Sequence, residues 1–212
     1  ILLCFIIMLI NKYSKLFHKY FLNISNCNDD IEYTYYPKNI IIKPDNNRIV
    51  HLHIIDIDNF IDIYGSYIDN IIKYYTVYIT FTCGDVERIM FMYNNHKNNI
   101  QYIKVKNKGY DIGPKISLLD FLYFNNISYN HILFLHSKKD INKRNLYFKP
   151  LVGSIDIIEE NINLIENNDN IGGIFPNMYK NKENDLIQYS KNNITYINQI
   201  LDLYGLTNNN II

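Results

Sequence analysis

The sequence predicts an α/β fold: a mainly parallel sheet flanked by helices. Short runs rich in Ile, Val, Phe and Tyr alternate with amphipathic stretches of about ten residues or more, the pattern of βαβ units. Polar clusters follow two of the apolar runs directly, and in open α/β sheets ligands bind beyond the carboxyl ends of strands. At 212 residues and 48% hydrophobic, the chain has the material for one packed α/β domain.

The elements follow in order. Ile1 to Leu22 reads as helix, and Asn23 to Asp30 as a polar break. Glu32 to Lys43 is an extended Tyr/Ile-rich segment that ends at Pro44 and Asp45. Residues 1–45 are thus read as an N-terminal helix and extended segment, packed on or preceding a domain at 46–212. Arg48 to Ile55 is a strand. Asp58 to Tyr74 is a helix, with Ile61, Tyr64, Ile68, Ile71 and Ile72 on one face. Val77 to Thr82 is β-branched and aromatic, hence strand. Asp85 to Lys97 is helix with Asp85 as N-cap. Ile100 to Val105 is strand, Pro114 to Phe124 helix with Pro114 at its first position, and His131 to Leu135 strand. Ser154 to Glu166 is helix with Ser154 as cap. Ile171 to Phe175 is strand, and Asn192 to Tyr204 helix.

Composition excludes some classes. Formal net charge is zero, which argues against nucleic-acid binding, since that rests on a large positive footprint. Ile, Asn, Lys and Tyr are over-used, Ala and Trp are absent, and Arg occurs only at Arg48, Arg88 and Arg144. The favoured residues have A/T-rich codons, so an A/T-rich genome explains the bias, including Asn208 to Asn210. Cys4, Cys27 and Cys83 are odd in number and outside metal spacing, which favours a reducing compartment and a cytoplasmic location. Ile1 to Ile10 is wholly apolar but too short to span a bilayer, which needs about 20 residues. It reads either as a remnant of a membrane anchor or signal segment, through which the protein would associate with a membrane, or as a helix docked on the core.

The residues able to carry chemistry cluster after the strands. His51 and His53 share one side of the first long strand. They are either hydrogen-bonded core histidines or, for His53 at the carboxyl end, neighbours of a bound nucleotide. Asp56 and Asp58 form a DID tripeptide, but Asp58 precedes an amphipathic helix and reads as its N-cap rather than a metal ligand. Thr80 and Thr82 end the second strand, with Thr82 bordering any pocket there. NKGYDIGPK supplies Asn107, Gly109, Asp111 and Gly113, where Asp111 either caps the next helix or accepts from a sugar hydroxyl. HILFLHSKKD delivers His136, Lys138 and Lys139 beyond an apolar strand. The lysines suit a diphosphate as point charges. His136 could donate to phosphate, orient the loop or ligate a metal, and Lys143 and Arg144 add positive charge nearby.

These motifs together resemble the rhamnan-synthesis F family of glycosyltransferases. VHLHIID and YITFT match its first two strands, NKGYDIGP its Asn-x-Gly-x-Asp-x-x-Pro element, and LFLHSKK its His-x-Lys-Lys element. LVGS at Leu151 to Ser154 and IGGIFP at Ile171 to Pro176 fit as well, so the resemblance covers roughly Ile49 to Asn177. It implies a GT-A-like (Rossmann-like) fold that binds a nucleotide-diphospho-sugar donor and transfers a sugar, rhamnose being one candidate, to a polysaccharide or glycan acceptor. The donor would meet His53, Thr82, Asn107, Gly109, Asp111, His136, Lys138 and Lys139. Many GT-A enzymes place a DxD motif, bridged to the diphosphate by Mg²⁺ or Mn²⁺, where this chain has His136-Ser137-Lys138. No metal is therefore expected to be required, and His136 is the one candidate ligand. Beyond Pro176 the chain turns Asn-rich where the family continues into an acceptor segment, and Glu183 and Asp185 are the only acids in that neighbourhood. The expectation is a truncated or divergent member with no assignable catalytic base. The alternative is a non-catalytic sugar-nucleotide or glycan-binding module derived from the same fold.

Overall fold

Strand β2 (Arg48–Asp56) lies inside a five-stranded sheet with β1 (Thr34–Tyr36), β3 (Thr76–Cys83), β4 (Ile100–Lys104) and β5 (His131–His136). The order is β1-β4-β3-β2-β5. β2 to β5 are mutually parallel, and the short β1 runs antiparallel along β4. The computed structural model describes residues 33–107 and 112–168, with positions 171, 173, 174 and 176 beyond them. The expected helices at Ile1 to Leu22 and Asn192 to Tyr204 lie outside the described residues. So do Glu183 and Asp185, as well as Gly109 and Asp111.

The two faces of the sheet follow from strand alternation. Val50, Leu52 and Ile54 of β2 join Val77, Ile79 and Phe81 of β3 in one core. Helices α1 (Phe60–Ile71), α2 (Val86–Met92), α4 (Ile141–Val152) and α5 (Ile155–Glu166) cover that face through Tyr64, Ile68, Ile71, Ile89, Phe148, Val152 and Ile158. On the other face, Ile49, Tyr78 and Ile103 meet Leu118, Phe121 and Leu122 of α3 (Ile112–Phe124). The chain steps from β2 to β3 to β4 in one direction, and α3 then carries it back to β5 on the far side of β2. The strand order therefore reverses between β2 and β5, and this is the crevice where α/β sheets bind ligands.

Several local expectations are corrected. Asp58 is not the residue next to α1. It sits in a 3₁₀ turn (Ile57–Asn59) ahead of the helix; its Oδ1 accepts from Asp85 N at 3.1 Å, while Asp56 Oδ1 accepts from Asp58 N at 3.1 Å. Asp58 thus ties the segment after β2 to the one after β3, while Asp56 holds the turn that presents it. Helix α2 stops at Met92 and gives way to a 3₁₀ turn at Asn94–His96, short of the expected Lys97. Asp85 does cap it, accepting from Glu87 N and Arg88 N. Helix α3 begins at Ile112, so Pro114 is its third residue; a proline still fits, because first-turn N–H groups have no intrahelical partner. Residues 171, 173, 174 and 176 are not in a strand. Helix α4 is an element that the sequence reading missed. Asp140 caps it by accepting from Asn142 N and Lys143 N. Asn161 Nδ2 donates to the carbonyls of Pro150 and Leu151 at its other end. The LVGS turn that follows needs glycine, since a Cβ on Gly153 would lie 2.5 Å from Lys149 O. Ser154 caps α5 as expected, its Oγ accepting from Ile157 N. Among the described residues no helix is long and apolar enough to cross a membrane.

At the amino end of the sheet, Arg48 donates through Nε and Nη2 to both oxygens of Glu166 at 2.7 Å. The Arg48 hydrogen bond is the main cause holding the Glu166 carboxyl below its ordinary range. A depressed acid stabilises the fold above its unfolded pKa of about 4.3 and loses that contribution as pH falls through the folded value. Both side chains keep some solvent contact, so screening holds the effect to about 0.5–1 kcal/mol. Urea unfolding of Glu166→Gln should show that deficit at pH 7 and a smaller one at pH 3.

Candidate functional site

β2 and β5 end side by side in register, with His53 paired to His136 and Ser137 N donating to His53 O at 2.8 Å. The alternation that puts Val50, Leu52 and Ile54 in one core puts His51 and His53 on the α3 face. His51 is fully buried and His53 nearly so. Thr80 of β3 serves both: its Oγ1 lies 2.7 Å from His51 Nε2 and 3.0 Å from His53 Nδ1. His53 Nδ1 also faces Thr80 O at 3.2 Å. A carbonyl only accepts, so Nδ1 carries the proton, and the hydroxyl can donate onward to His51 Nε2. Burial, followed by His53, Lys115 and His136, holds His51 well below its ordinary pKa. It is therefore a neutral core histidine, the bland alternative for that residue.

The α3 face opens toward the carboxyl edge. Ile55, two residues past His53, is 50% exposed. Thr82 shares the face of Thr80, and its Oγ1 is buried without a hydrogen-bond partner. Asn107 is exposed just after β4, where Val105 N still bonds Phe81 O. Four of the expected residues thus lie along one edge, in the order Asn107, Thr82, His53, His136. Three strand spacings separate the ends of that row, about 14 Å.

Beyond β5 the chain is held by aromatic residues. Tyr64 of α1 accepts from Lys138 N at 3.0 Å through its hydroxyl, which also lies 3.4 Å from Lys138 O. The Lys138 ammonium sits 5.3 Å from the centre of the Tyr147 ring, which also packs against His136. Lys139 is exposed. The structure thus brings His53, Thr82, Asn107, His136, Lys138 and Lys139 to the same edge. Lys115 belongs with them: it is 7% exposed, and its ammonium lies 5.7 Å from the Phe134 ring beneath the sheet.

Sequence reasoning passed over Thr80 as a bridge, Lys115, Tyr64 and Tyr147. Helical spacing held the signal for Lys115, which lies three and four residues before the buried Leu118 and Leu119. The tyrosines carried no signal for this role, being two among the 20 of the chain. Among the described residues, no three His, Cys, Asp or Glu side chains converge to hold a metal.

Two clefts lined by described residues lie elsewhere. One of about 400 Å³ runs between Pro37, Met90, Phe91 and Tyr102. A smaller one of about 310 Å³ lies among Tyr67, Asn70, Lys149 and Ser154. Neither touches His53 or His136.

The bridging hydroxyl makes a testable contrast. Thr80→Val strips His51 of its partner and should cost about 1–3 kcal/mol in denaturant unfolding. Thr82→Val removes a hydroxyl with no partner and should be neutral or slightly stabilising. Comparison with family models, curated proteins and solved structures finds no match for this chain.

Proposed function

We propose that the chain is a GT-A-like domain that binds a nucleotide-diphospho-sugar at the β2–β5 edge and transfers its sugar to a glycan, as a divergent member of the rhamnan-synthesis F glycosyltransferases. The observation that carries this reading is the register pairing of His53 with His136 at the strand-order reversal, with Lys138 immediately beyond. On this reading the nucleotide lies across the ends of β2 to β4, by His53, Thr82 and Asn107, and the diphosphate lies over β5. His136 and Lys138 then offset the charge that builds on the departing diphosphate, the role a metal plays in DxD enzymes. Mg²⁺ beside the Lys138 ammonium would be repelled at short range, so binding needs no divalent ion.

One observation favours a non-catalytic module as the second reading. The carboxylates described near this edge are taken by main-chain donors: Asp56 by Asp58 N, Asp58 by Asp85 N, Asp85 by Glu87 N and Asp140 by Asn142 N. None of these is positioned as a free base for an acceptor hydroxyl. Donor turnover by the binding-competent protein separates the two readings.

Calorimetry with UDP, dTDP and GDP, each against its monophosphate, tests the site. At least one diphosphate should bind more tightly than its monophosphate, and Lys138→Ala should weaken it about tenfold, the value of one charge-assisted hydrogen bond. EDTA should leave the affinity unchanged. A hundredfold gain with Mn²⁺ that His136→Ala abolishes would show that His136 ligates a metal.

A further inference from the structure

Arg144 stands out among the cations of the described residues. Arg48 is saturated by Glu166. Arg144 of α4 is half-buried, with no carboxylate partner among the described residues. Its guanidinium carbon lies 5.6 Å from the centre of the Tyr64 ring. Its Nη2 reaches Lys139 O at 3.5 Å, the long limit of a hydrogen bond, and its Nε is buried with no acceptor. A guanidinium normally fills its donor fork when it is desolvated. Here the fork is left nearly empty beside the segment that carries Lys138 and Lys139.

The surroundings sharpen the point. Tyr64 touches Lys138 through its hydroxyl and Arg144 through its ring. Lys138 rests on Tyr147 in the same manner. Both cations therefore lie on aromatic faces, one residue apart through Tyr64. Asp140 is the only acid between Lys138 and Lys149. Its carboxylate is committed to the amino end of α4, where the Lys143 and Asn142 N–H groups help hold its pKa down. A protein with zero formal net charge thus concentrates Lys138, Lys139, Lys143 and Arg144 at one strand end.

We propose that Arg144 is a second anion ligand of this edge, which leaves the Tyr64 face to grip a diphosphate together with Lys138. A planar fork holds two oxygens at once, while the lysine adds a point charge. The pair therefore distinguishes a diphosphate, which can reach both, from a monophosphate, which reaches one. The assignment rests on the donor-site reading above but adds a residue and a selectivity to it.

The test uses calorimetry with inorganic pyrophosphate, inorganic phosphate and the tightest nucleoside diphosphate of the panel. Arg144→Gln should lower affinity for pyrophosphate and the diphosphate about tenfold and leave phosphate affinity within about twofold. Arg144→Lys keeps the charge and the contact with Tyr64 but loses the fork, and should fall between. It also stands in if the glutamine variant does not fold. Lys149→Ala, exposed at the far end of the same helix, should change little. If Lys138→Ala weakens the diphosphate while both Arg144 variants bind like wild type, Arg144 is no ligand and the site reading survives. If wild type binds neither pyrophosphate nor any diphosphate, both readings fall.

Discussion

The pairing of β2 with β3 on one side and β5 on the other is the constraint on which the site depends. β2 is interior to the sheet and buried on both faces, so its register admits no adjustment. A slip of one residue would turn His51 and His53 into the α1 core and Val50, Leu52 and Ile54 toward α3. Burying each of those aliphatic side chains is worth about 1.5–3 kcal/mol, whereas each hydrogen bond to Thr80 contributes about 1 kcal/mol net. The aliphatic face therefore sets the register. The polar face is carried with it, and its histidines can be placed for chemistry because stability is secured elsewhere.

That division shaped what could be read from residues alone. Alternation in RIVHLHIID and the β-branched run TVYITFT placed β2 and β3 nearly to the residue, because burial on two faces leaves a strong imprint. The edge joining His53, Thr82, Asn107 and His136 was legible for a related reason, since each lies near or just past the carboxyl end of a strand expected to be parallel. Helix α4 was not legible. Only its last turns carry an apolar stripe, Phe148, Leu151 and Val152, and the turns before it are polar and precede a proline. Asp58 misled because an acid ahead of a helix looks the same whether it caps that helix or the neighbouring loop; only the meeting of β2 and β3 decides. Gly109 and Asp111 lie outside the described residues.

The two ends of the sheet treat positive charge in opposite ways. At the amino end Arg48 is neutralised by Glu166 through paired 2.7 Å bonds that join β2 to α5. At the carboxyl end Lys138 and Arg144 meet tyrosine rings instead. A cation on an aromatic face gains about 0.5–1 kcal/mol at a partly exposed site. It keeps its full charge there, whereas a bidentate carboxylate both cancels the charge and holds the side chain. An incoming anion would have to displace the carboxylate but need only draw the cation off the ring. Beneath the same edge lie a buried ammonium, Lys115, and a histidine kept neutral by its surroundings, His51, while the carboxylates Asp56, Asp58, Asp85 and Asp140 around it are each held by main-chain donors. Lys138 and Arg144 thus carry their charge to the strand end on tyrosine rings rather than on carboxylates. On that physical ground the edge favours anions, and the unfilled donors of Arg144 favour one with oxygens to spare.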